Sequence, residues 1–398
     1  MTDVQTATDA QEARVLEALD AFLAATDPKT TDGVAFRAAR FDHGLAWVHW
    51  PEGMGGLGVR PQLQRLVETR LREAGAPPPD PAGFFQSLAG PTILTHGTEA
   101  QKQRFLRPMF SGEERWCQLF SEPGAGSDFA GLGTRAVRDG EEWLVNGQKV
   151  WNTLAHLADW GMLVTRTNPE VPKHRGLTYF LVDMHSPGVE VRPLRQITGE
   201  AEFNEVYLTD VRIPDAHRLG DVGDGWRISL TTLMNERVAI GGGSFSRKAP
   251  IDWAVELYRE HGDGNPALRD EVVRMWIQHE VLRYTVRRGA AAQAVGTPGP
   301  EGSVAKLMSA EHNKACFSLC VNLLGAAGTL YPTGYDVDRS RDVYGYATAQ
   351  EWFLRARANS IEGGTSEVMR NILGERVLGL PGDIRVDKDV AWKEVPRN

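Results

Sequence analysis

The chain has 398 residues, of which 41% are hydrophobic and 24% charged, with a formal net charge of −8 and a pI near 5.8. This length predicts two or three structural units. An acidic chain lacks the basic face that neutralises phosphates, so we expect no nucleic acid as a partner. No run approaches the roughly 18 apolar residues of a membrane span, and the N-terminus has no apolar signal core. These features predict a cytoplasmic protein that does not enter a membrane.

The cysteines are few and odd in number: Cys117, Cys316 and Cys320. Such a set predicts no disulfide framework. Cys316 and Cys320 stand one helical turn apart and could share a face. Because no histidine or third thiol of the sequence pattern completes a ligand set, we expect these two in a packed core and predict no metal site.

The first third of the chain is predicted to be helical. Apolar residues recur at helical spacing between Val15 and Leu23. A glycine-rich loop at 50–58 interrupts this pattern, and helices are expected again at 62–74 and 99–105.

The pattern changes near residue 116 to short strand-like runs. Asn146 and Gly147 stand between two of them, and this pair tolerates the positive φ of a tight hairpin turn. We therefore expect a small antiparallel β domain. Its further strands are predicted at 160–165, 177–182, 189–192 and 205–213.

Helical periodicity returns at about residue 225. Candidate helices cover 225–245, 266–295 and 302–324, with one or two more near the C-terminus. The order α, then β, then α predicts an α+β protein, since few folds place an all-β unit between helical ones. The predicted domains are a helical one at 1–115, a β-barrel or sandwich at 116–220 and a helical bundle at 221–398.

Three segments carry sequence motifs. They are F-S-E-P-G-A-G-S-D at 120–128, N-G-Q-K-V-W-N-T at 146–153 and I-E-G-G-T-S-E at 361–367. In this order they resemble the signature segments of the acyl-CoA dehydrogenase family. The resemblance implies an N-terminal helical domain, a central antiparallel β domain and a C-terminal four-helix bundle. It also implies FAD as cofactor, α,β-dehydrogenation of an acyl-CoA thioester to a trans-2-enoyl-CoA, and transfer of the electrons to an acceptor such as electron-transfer flavoprotein.

The first motif contains Gly124 and Gly126, which permit close backbone approach to a pyrophosphate. The alternative is a surface turn after a strand. By resemblance, the backbone near Phe120 and Ser121 meets the pyrimidine edge of the flavin, and Ser127 contacts an FAD phosphate or the pantetheine arm. The implied cofactor contacts in this region are Gln118, Phe120, Ser121, Gly126 and Ser127.

In the second motif, Trp151 and Thr153 have the same side-chain parity on a strand, so both can point at one ligand. An indole can cover a flat ring, and a hydroxyl can donate to flavin N5. The alternative is an inward-facing Trp and an ordinary strand Thr. The resemblance implies that these two residues stack on the flavin and bond its N5.

The third motif predicts a glycine loop that opens a helix near Ser366. By resemblance, Thr365 and Glu367 contact FAD. Alternatively, Thr365 is a plain N-cap with Glu367 in the first turn, and both interpretations can hold together.

The catalytic base is predicted by comparing two positions. Many family members place a Glu immediately before G-T in the third motif, but here that residue is Gly363, with Glu362 one position earlier. A branch of the family carries the base on the first helix of the C-terminal domain, in a segment resembling E-R-[LV], which matches Glu236 and Arg237. We predict Glu236 as the base and Glu362 as the second choice. The predicted substrate contacts are Ser127, Arg237 and Gly363.

On a helical wheel, the helix that carries Glu236 shows one apolar face, with Glu236 at its margin. This predicted face consists of Leu230, Leu233, Met234, Val238 and Ile240.

Two departures concern assembly. The region 256–264 lacks the family's Arg-x-x-Phe element, and 322–328 alters its glycine-rich element. The resemblance implies a homodimer, a homotetramer or an α2β2 heterotetramer. Two other functions stay open: a flavin oxidase or monooxygenase on the same scaffold, and a subunit that supports the flavin of another chain.

Overall fold

The computed structural model describes residues 2–77, 81–241, 248–294, 299–331, 346–382, 384 and 387–396. Side chains are described except those of 2–8, 81–82, 237–241 and 293–294. Helices precede and follow one β-sheet, so the predicted α, β, α order is confirmed. Among the described residues, no helix has the length and apolarity that a membrane span needs.

The described residues of the N-terminal part form five α-helices. Thr98 caps the fifth through a capping box with Gln101, and the Gln101 amide also donates to the carbonyls of Ala216 and Arg218, each at 2.9 Å. This helix is thereby fixed to the strand region. The helices are α1 (Thr2–Ala25), α2 (Gly33–Asp42), α3 (Gln64–Glu73), α4 (Gln86–His96) and α5 (Glu99–Ser111).

The β region is one sheet in the order β6-β7-β3-β2-β4-β5-β8, with β1 beside β4. Most neighbours are antiparallel, whereas β1 and β2 run parallel to β4. The four predicted strands after residue 160 are confirmed. The strands are β1 (Trp116–Leu119), β2 (Arg135–Asp139), β3 (Glu142–Lys149), β4 (Trp160–Arg166), β5 (Leu177–Asp183), β6 (Val189–Pro193), β7 (Asn204–Pro214) and β8 (Arg218–Leu219).

The predicted hairpin at Asn146–Gly147 is wrong. Strand β3 runs through both residues, and the turn between β2 and β3 lies at Gly140, whose φ is 64°. Asn146 instead exchanges two 2.9 Å hydrogen bonds with Asp210 at a bulge between β3 and β7. Position 147 requires a glycine for a steric reason, since an added Cβ would lie 2.7 Å from the Cα of Thr134. The motif signals a close backbone approach and not a turn.

The two faces of the sheet have different partners. Cys117 and Leu119 of β1 point into a core made only of sheet-domain residues. Trp116 and Phe120 point to the opposite face, into a core shared with α4, α5 and α6. Because side chains alternate along a strand, Gln118 also points toward the helices.

The C-terminal part contains the three predicted long helices and an additional one, α7, that the sequence analysis did not separate. Cys316 and Cys320 of α9 are fully buried, as expected for core residues, and burial raises the pKa of each thiol to about 12. The helices are α6 (Gly225–Gly241), α7 (Pro250–His261), α8 (Pro266–Ala294), α9 (Glu301–Leu323), α10 (Ala349–Arg355) and α11 (Ser366–Ile372).

The predicted apolar face of α6 is wrong in part, since Leu233 is half-buried and packs against the core shared by the sheet and the helices, but two other members do not. Leu230 and Met234 are 38% and 63% exposed, and the side chains of Val238 and Ile240 lie outside the described residues. The buried face instead carries hydroxyls, because Thr232 bonds Thr92 of α4 and Tyr179 of β5 at 3.0 and 3.2 Å. Paired hydroxyls can be buried at little cost, and a hydrophobicity wheel does not foresee this pairing.

Candidate active site

The loop after β1 carries the first motif. Residues Glu122 and Ala125 exchange backbone hydrogen bonds of 3.0 Å, which closes a tight turn. Beyond the turn, Gly126 and Ser127 are exposed, and a Cβ added at Gly126 would meet no atom within 4 Å. Phe120 is buried and stacks on Phe129 at 4.9 Å. The loop therefore has a fixed base and an open rim that a ligand can approach.

A buried ion pair joins the first and second motifs, and the sequence analysis did not assign it. The ammonium of Lys149 lies 2.8 Å from Glu122 and 3.0 Å from the carbonyl oxygen of Phe120. The Glu122 carboxylate also accepts from the backbone N–H groups of Gly133 and Thr134, at 2.7 and 2.9 Å. The sequence did contain a signal for this pair, since the first motif contains a glutamate and the second a lysine.

The pKa shifts of this pair follow from its environment. Burial raises the pKa of Glu122, but the Lys149 charge and the hydrogen bonds outweigh burial and hold that pKa below its ordinary value. Burial lowers the pKa of Lys149, and the Glu122 charge opposes this.

Trp151 and Thr153 do not lie on a strand, which corrects the parity argument. Strand β3 ends at Lys149, and Trp151 has a φ of 63°, in the left-handed region. The segment is held by Asn152, which exchanges backbone hydrogen bonds of 3.0 and 3.1 Å with Asn204. The Trp151 side chain is 58% exposed and meets the ring of Phe203 edge to face at 5.8 Å. The contacts of Asn152, and not a strand pleat, present Trp151 at the surface.

Glu236 lies on α6 and is half-buried. The side-chain amide of Gln118 donates to Glu236 Oε2 at 3.3 Å. The carbonyl oxygen of Gln118 in turn accepts from Asn152 Nδ2 at 2.8 Å. The structure thus links Glu236 to the segment that contains Trp151 and Thr153 through a single residue. The side chain of Arg237 lies outside the described residues.

Glu362 has a different environment. Its two oxygens accept from the guanidinium of Arg355 at 3.1 and 2.8 Å, and Asn359 donates to it at 2.7 Å. The Arg355 side chain is only 4% exposed. A two-pronged contact with a buried guanidinium fixes the carboxylate in one orientation.

The third motif has the predicted local structure. Gly363 and Gly364 have φ values of 62° and 89°, and Thr365 caps α11 by accepting from the Val368 N–H at 3.1 Å. Lys306 of α9 fixes this loop by donating a hydrogen bond to the carbonyl oxygen of Gly364 at 2.5 Å. The N-cap interpretation of Thr365 is therefore confirmed.

Two further charges surround this loop. Glu367 is exposed and pairs with Arg370 at 3.0 Å. Lys306 is buried, and burial lowers its pKa, while the nearby carboxylates of Glu362 and Glu236 oppose that shift. Contact of Thr365 and Glu367 with FAD stays a prediction.

Several features of the described residues fit a flat, polar cofactor. Trp151 offers an exposed indole face beside the half-buried Thr153. Asn152 is 1% exposed, yet its Oδ1 has no hydrogen-bond partner among the described residues. The open glycine rim at Gly126 could admit a phosphate. A buried acceptor without a donor is costly unless a ligand supplies the donor.

A sheet between two helical domains, with Glu236 linked through Gln118 to the loop that carries Trp151, is the arrangement of an enzyme scaffold. Family sequence models confirm it: the acyl-CoA dehydrogenase N-terminal, middle and C-terminal domains match residues 5–113, 117–211 and 223–378. The chain belongs to the acyl-CoA dehydrogenase family, whose members are flavoprotein oxidoreductases of lipid metabolism.

Individual relatives agree with this assignment. "Acyl-CoA dehydrogenase FadE34" of Mycobacterium tuberculosis is 42% identical over 350 residues, covering 87% of this chain but 46% of that protein, so the chain spans about half of its length. The ChsE4-ChsE5 complex of Mycobacterium tuberculosis has a TM-score of 0.70 at 29% identity, covering 94% of this chain and 98% of that one. The structure named "Tcur3481-Tcur3483 steroid ACAD" has a TM-score of 0.71 at 25% identity, with the same coverage.

Proposed function

We propose that the chain catalyses FAD-dependent α,β-dehydrogenation of an acyl-CoA thioester, with Glu236 as the base. The observation that carries the proposal is the placement of Glu236. This half-buried carboxylate is bonded to Gln118, whose backbone also binds Asn152, between Trp151 and Thr153. A base within reach of a substrate held against that segment is what α-proton removal requires.

The surroundings of the two candidate carboxylates favour Glu236. Glu362 already accepts three hydrogen bonds from Arg355 and Asn359. To accept a substrate proton, Glu362 would have to weaken its contact with a buried guanidinium, which is unfavourable. The neutral side-chain amide of Gln118 donates a hydrogen bond to Glu236 and orients that carboxylate.

The other residues have roles that follow from their positions. Bound FAD supplies the acceptor for the β-hydrogen, which leaves as hydride. The Trp151 indole would cover the ring system of the cofactor, and the Thr153 hydroxyl would donate a hydrogen bond to it. Ser127 and Gly126 provide an open, polar rim for a phosphate or the pantetheine arm. We propose Arg237 and Gly363 as substrate contacts.

The test compares Glu236→Gln with Glu362→Gln in anaerobic mixing with a panel of acyl-CoAs, monitored by bleaching of the flavin absorbance. We expect Glu236→Gln to keep its flavin and lose bleaching by at least about 100-fold, within the usual contribution of a positioned base. Glu362→Gln should lower the melting temperature, because it weakens the contact with Arg355, but the folded protein should still bleach. Normal bleaching by Glu236→Gln would overturn the assignment.

The reaction with oxygen separates a dehydrogenase from an oxidase. We propose that the electrons pass to an external acceptor such as electron-transfer flavoprotein. Reduced protein mixed with air should then regain its flavin absorbance slowly, and much faster with the acceptor. Rapid reoxidation in air with formation of hydrogen peroxide would favour the oxidase or monooxygenase alternative.

Subunit assembly is proposed from the surface of α8. Five large apolar side chains on one stripe of this helix are 45–58% exposed: Val273, Trp276, Ile277, Val281 and Tyr284. An exposed patch of this kind marks a protein interface. We propose that it packs against a second chain of the same family. FadE34, of which this chain matches 46%, has room for a second unit of similar size, and ChsE4-ChsE5 is named as a complex.

Light scattering of the purified chain tests this assembly. Trp276→Glu should shift the protein to the monomer, while Val137→Glu, at an exposed apolar position on β2, should not. Purified alone, the chain should be pale if a non-identical subunit completes the flavin site, and fully yellow if identical copies do. A monomer that already holds stoichiometric flavin would contradict the proposed interface.

The acyl group is proposed to be bulky. The neighbour at 25% identity is named a steroid ACAD, and Leu230 and Met234 expose apolar surface on the helix that carries Glu236. We expect faster bleaching with steroid-derived acyl-CoAs than with butyryl-CoA. The three glycines at 241–243 either make room for such a group or serve close helix packing, and residues 242 and 243 lie outside the described residues.

A further inference from the structure

The side chain of Gln118 is directed toward the helices by strand geometry. On β1, Cys117 and Leu119 enter the core of the sheet domain, while Trp116 and Phe120 enter the core shared with the helices. Gln118 shares the parity of Trp116 and Phe120, so its amide emerges on the side where α6 lies. In this row, Gln118 is the only member that is half-buried and polar.

The amide of Gln118 has a defined partner there. Its Nε2 donates to Glu236 Oε2 at 3.3 Å. An amide N–H can only donate, so it interacts better with the ionised carboxylate than with the protonated one. Gln118 therefore favours the form of Glu236 that can accept a proton, and it fixes the direction of one oxygen.

The backbone of Gln118 is held as firmly as its side chain. Asn152 Nδ2 donates to the carbonyl oxygen of Gln118 at 2.8 Å, and Asn152 is bound through its own backbone to Asn204. Asn152 therefore links Gln118 to Asn204. It couples the position of Gln118 to the loop that presents Trp151 and Thr153.

Within the part of the chain that the structure describes, Lys306 also acts on the charge of Glu236, from a neighbouring helix. Lys306 of α9 is close enough to interact electrostatically with Glu236 and Glu362. Its ammonium, however, is directed at the carbonyl oxygens of Asn359 and Gly364, at 2.9 and 2.5 Å. Gln118 thus supplies a neutral donor to Glu236 from the sheet, whereas Lys306 supplies positive charge from the helical domain.

We propose that Gln118 is a positioning residue for the base, holding the ionised Glu236 carboxylate in register with the loop that presents Trp151 and Thr153. This inference rests on the proposed function, in which Glu236 is the base. It assigns to the Gln118 side chain a role in proton abstraction, in place of the flavin contact that the sequence motif implies.

The test uses Gln118→Met, which keeps the length of the side chain and removes the donor. The rate of flavin bleaching under anaerobic single-turnover conditions is measured against pH with saturating acyl-CoA. We expect the acidic limb of the profile to move upward by on the order of one pH unit, which is a tenfold loss of rate on that limb. At high pH the rate should return to within about threefold of the unmodified protein.

Two further variants sharpen the result. Gln118→Glu replaces the donor by a second carboxylate, so the acidic limb should move further than in Gln118→Met. The matched control is Gln148→Met, since Gln148 donates to Glu205 and Tyr207 elsewhere on the sheet and should leave the profile unmoved. A titration of the carboxyl infrared band that disappears in Glu236→Gln provides a readout independent of turnover, and it should shift in the same direction.

The outcomes separate the two ideas. Normal bleaching by Glu236→Gln would refute the proposed function, in which Glu236 is the base. If that variant is inactive but Gln118→Met leaves both the pH profile and the infrared titration unchanged, only the role of Gln118 is refuted. Loss of flavin from Gln118→Met at an unchanged melting temperature would identify Gln118 as a flavin contact and would likewise refute the positioning role.

Discussion

The ammonium of Lys149 and the carboxylate of Glu122 lie 2.8 Å apart, and the Lys149 side chain has no exposure to solvent. One residue ends β3, and the other starts the turn of the glycine-rich loop after β1. This buried pair ties together the two segments that we expect to hold the cofactor.

Removal of one member of this pair should be costly. Lys149→Met leaves the Glu122 charge buried, and breaking a buried pair costs about 3–5 kcal/mol. We expect a lower urea midpoint and a lower flavin content in the purified protein. The control is Arg192→Met, because Arg192 and Glu190 form an exposed pair on β6 whose loss should leave the midpoint unchanged. Equal midpoints for the two variants would contradict the structural role.

Combining Glu122→Gln with Lys149→Met removes both charges of the pair, but it should not restore the stability of the unmodified protein. The Glu122 oxygens also accept from the N–H groups of Gly133 and Thr134. A neutral amide keeps one acceptor oxygen and loses the other, so one of these donors is left without its present partner. We expect the double variant to be less stable than the unmodified protein by urea unfolding, and full recovery would show that the N–H bonds contribute little.

Two glycines of the motifs should respond differently to alanine. Gly147→Ala would place a Cβ 2.7 Å from the Cα of Thr134, which should destabilise the protein by about 1–3 kcal/mol. At Gly126, by contrast, a Cβ would meet nothing within 4 Å, so Gly126→Ala should leave the urea midpoint unchanged.

Ligand binding should be affected by the substitution at Gly126, which is expected to leave stability unchanged. If a phosphate or the pantetheine arm approaches Gly126, then Gly126→Ala should weaken binding of FAD or of the acyl-CoA, measured by equilibrium titration. Gly126→Ala with unaltered affinity for both ligands would remove this segment from the proposed site.

His312 should make stability depend on pH. Burial first, and then the charge of His279, lower the pKa of His312 from 6.5 to about 4. The unfolded chain therefore binds a proton that the folded chain does not, and stability falls as the pH decreases from 6.5 toward 4. The loss reaches about 3 kcal/mol at most. His312→Asn should flatten the dependence of the urea midpoint on pH in this window, whereas substitution of the exposed His185 should not.

The C-terminal segment should stabilise the β domain. The indole of Trp392 donates to the carbonyl oxygen of Gly131 at 3.1 Å, and the buried guanidinium of Arg166 lies 4.5 Å from the indole centroid. Trp392→Ala should lower stability by about 2 kcal/mol through lost burial and the cation–π contact. Lys393→Ala, which removes only an exposed pair with Glu170, serves as the control in the same thermal melts. A melting temperature for Trp392→Ala that equals that of the control would show that the segment is not needed.

Local patterns predicted much of the fold. The short apolar runs of β4 and β5 and the long helical periods of α8 and α9 were recognisable because each depends on neighbours in sequence. The cap at Thr365 was recognisable for the same reason. Helix α7 was not predicted as a separate element.

The errors occurred where distant segments meet. Asn146 pairs with Asp210, 64 positions later, and this contact converts an apparent turn into a bulged strand. On α6, Thr232 is buried because Thr92 and Tyr179 accept or donate to it, while the more hydrophobic Met234 is left exposed. A hydrophobicity pattern ranks single residues and has no information about such partners.

The sequence by itself determined the order of helices and strands, the family through its three motifs, and Glu236 and Glu362 as the two candidate carboxylates. Only the tertiary structure distinguished their surroundings, because hydrogen bonds and burial arise between segments that folding brings together. It placed Arg355 against Glu362 and Gln118 against Glu236.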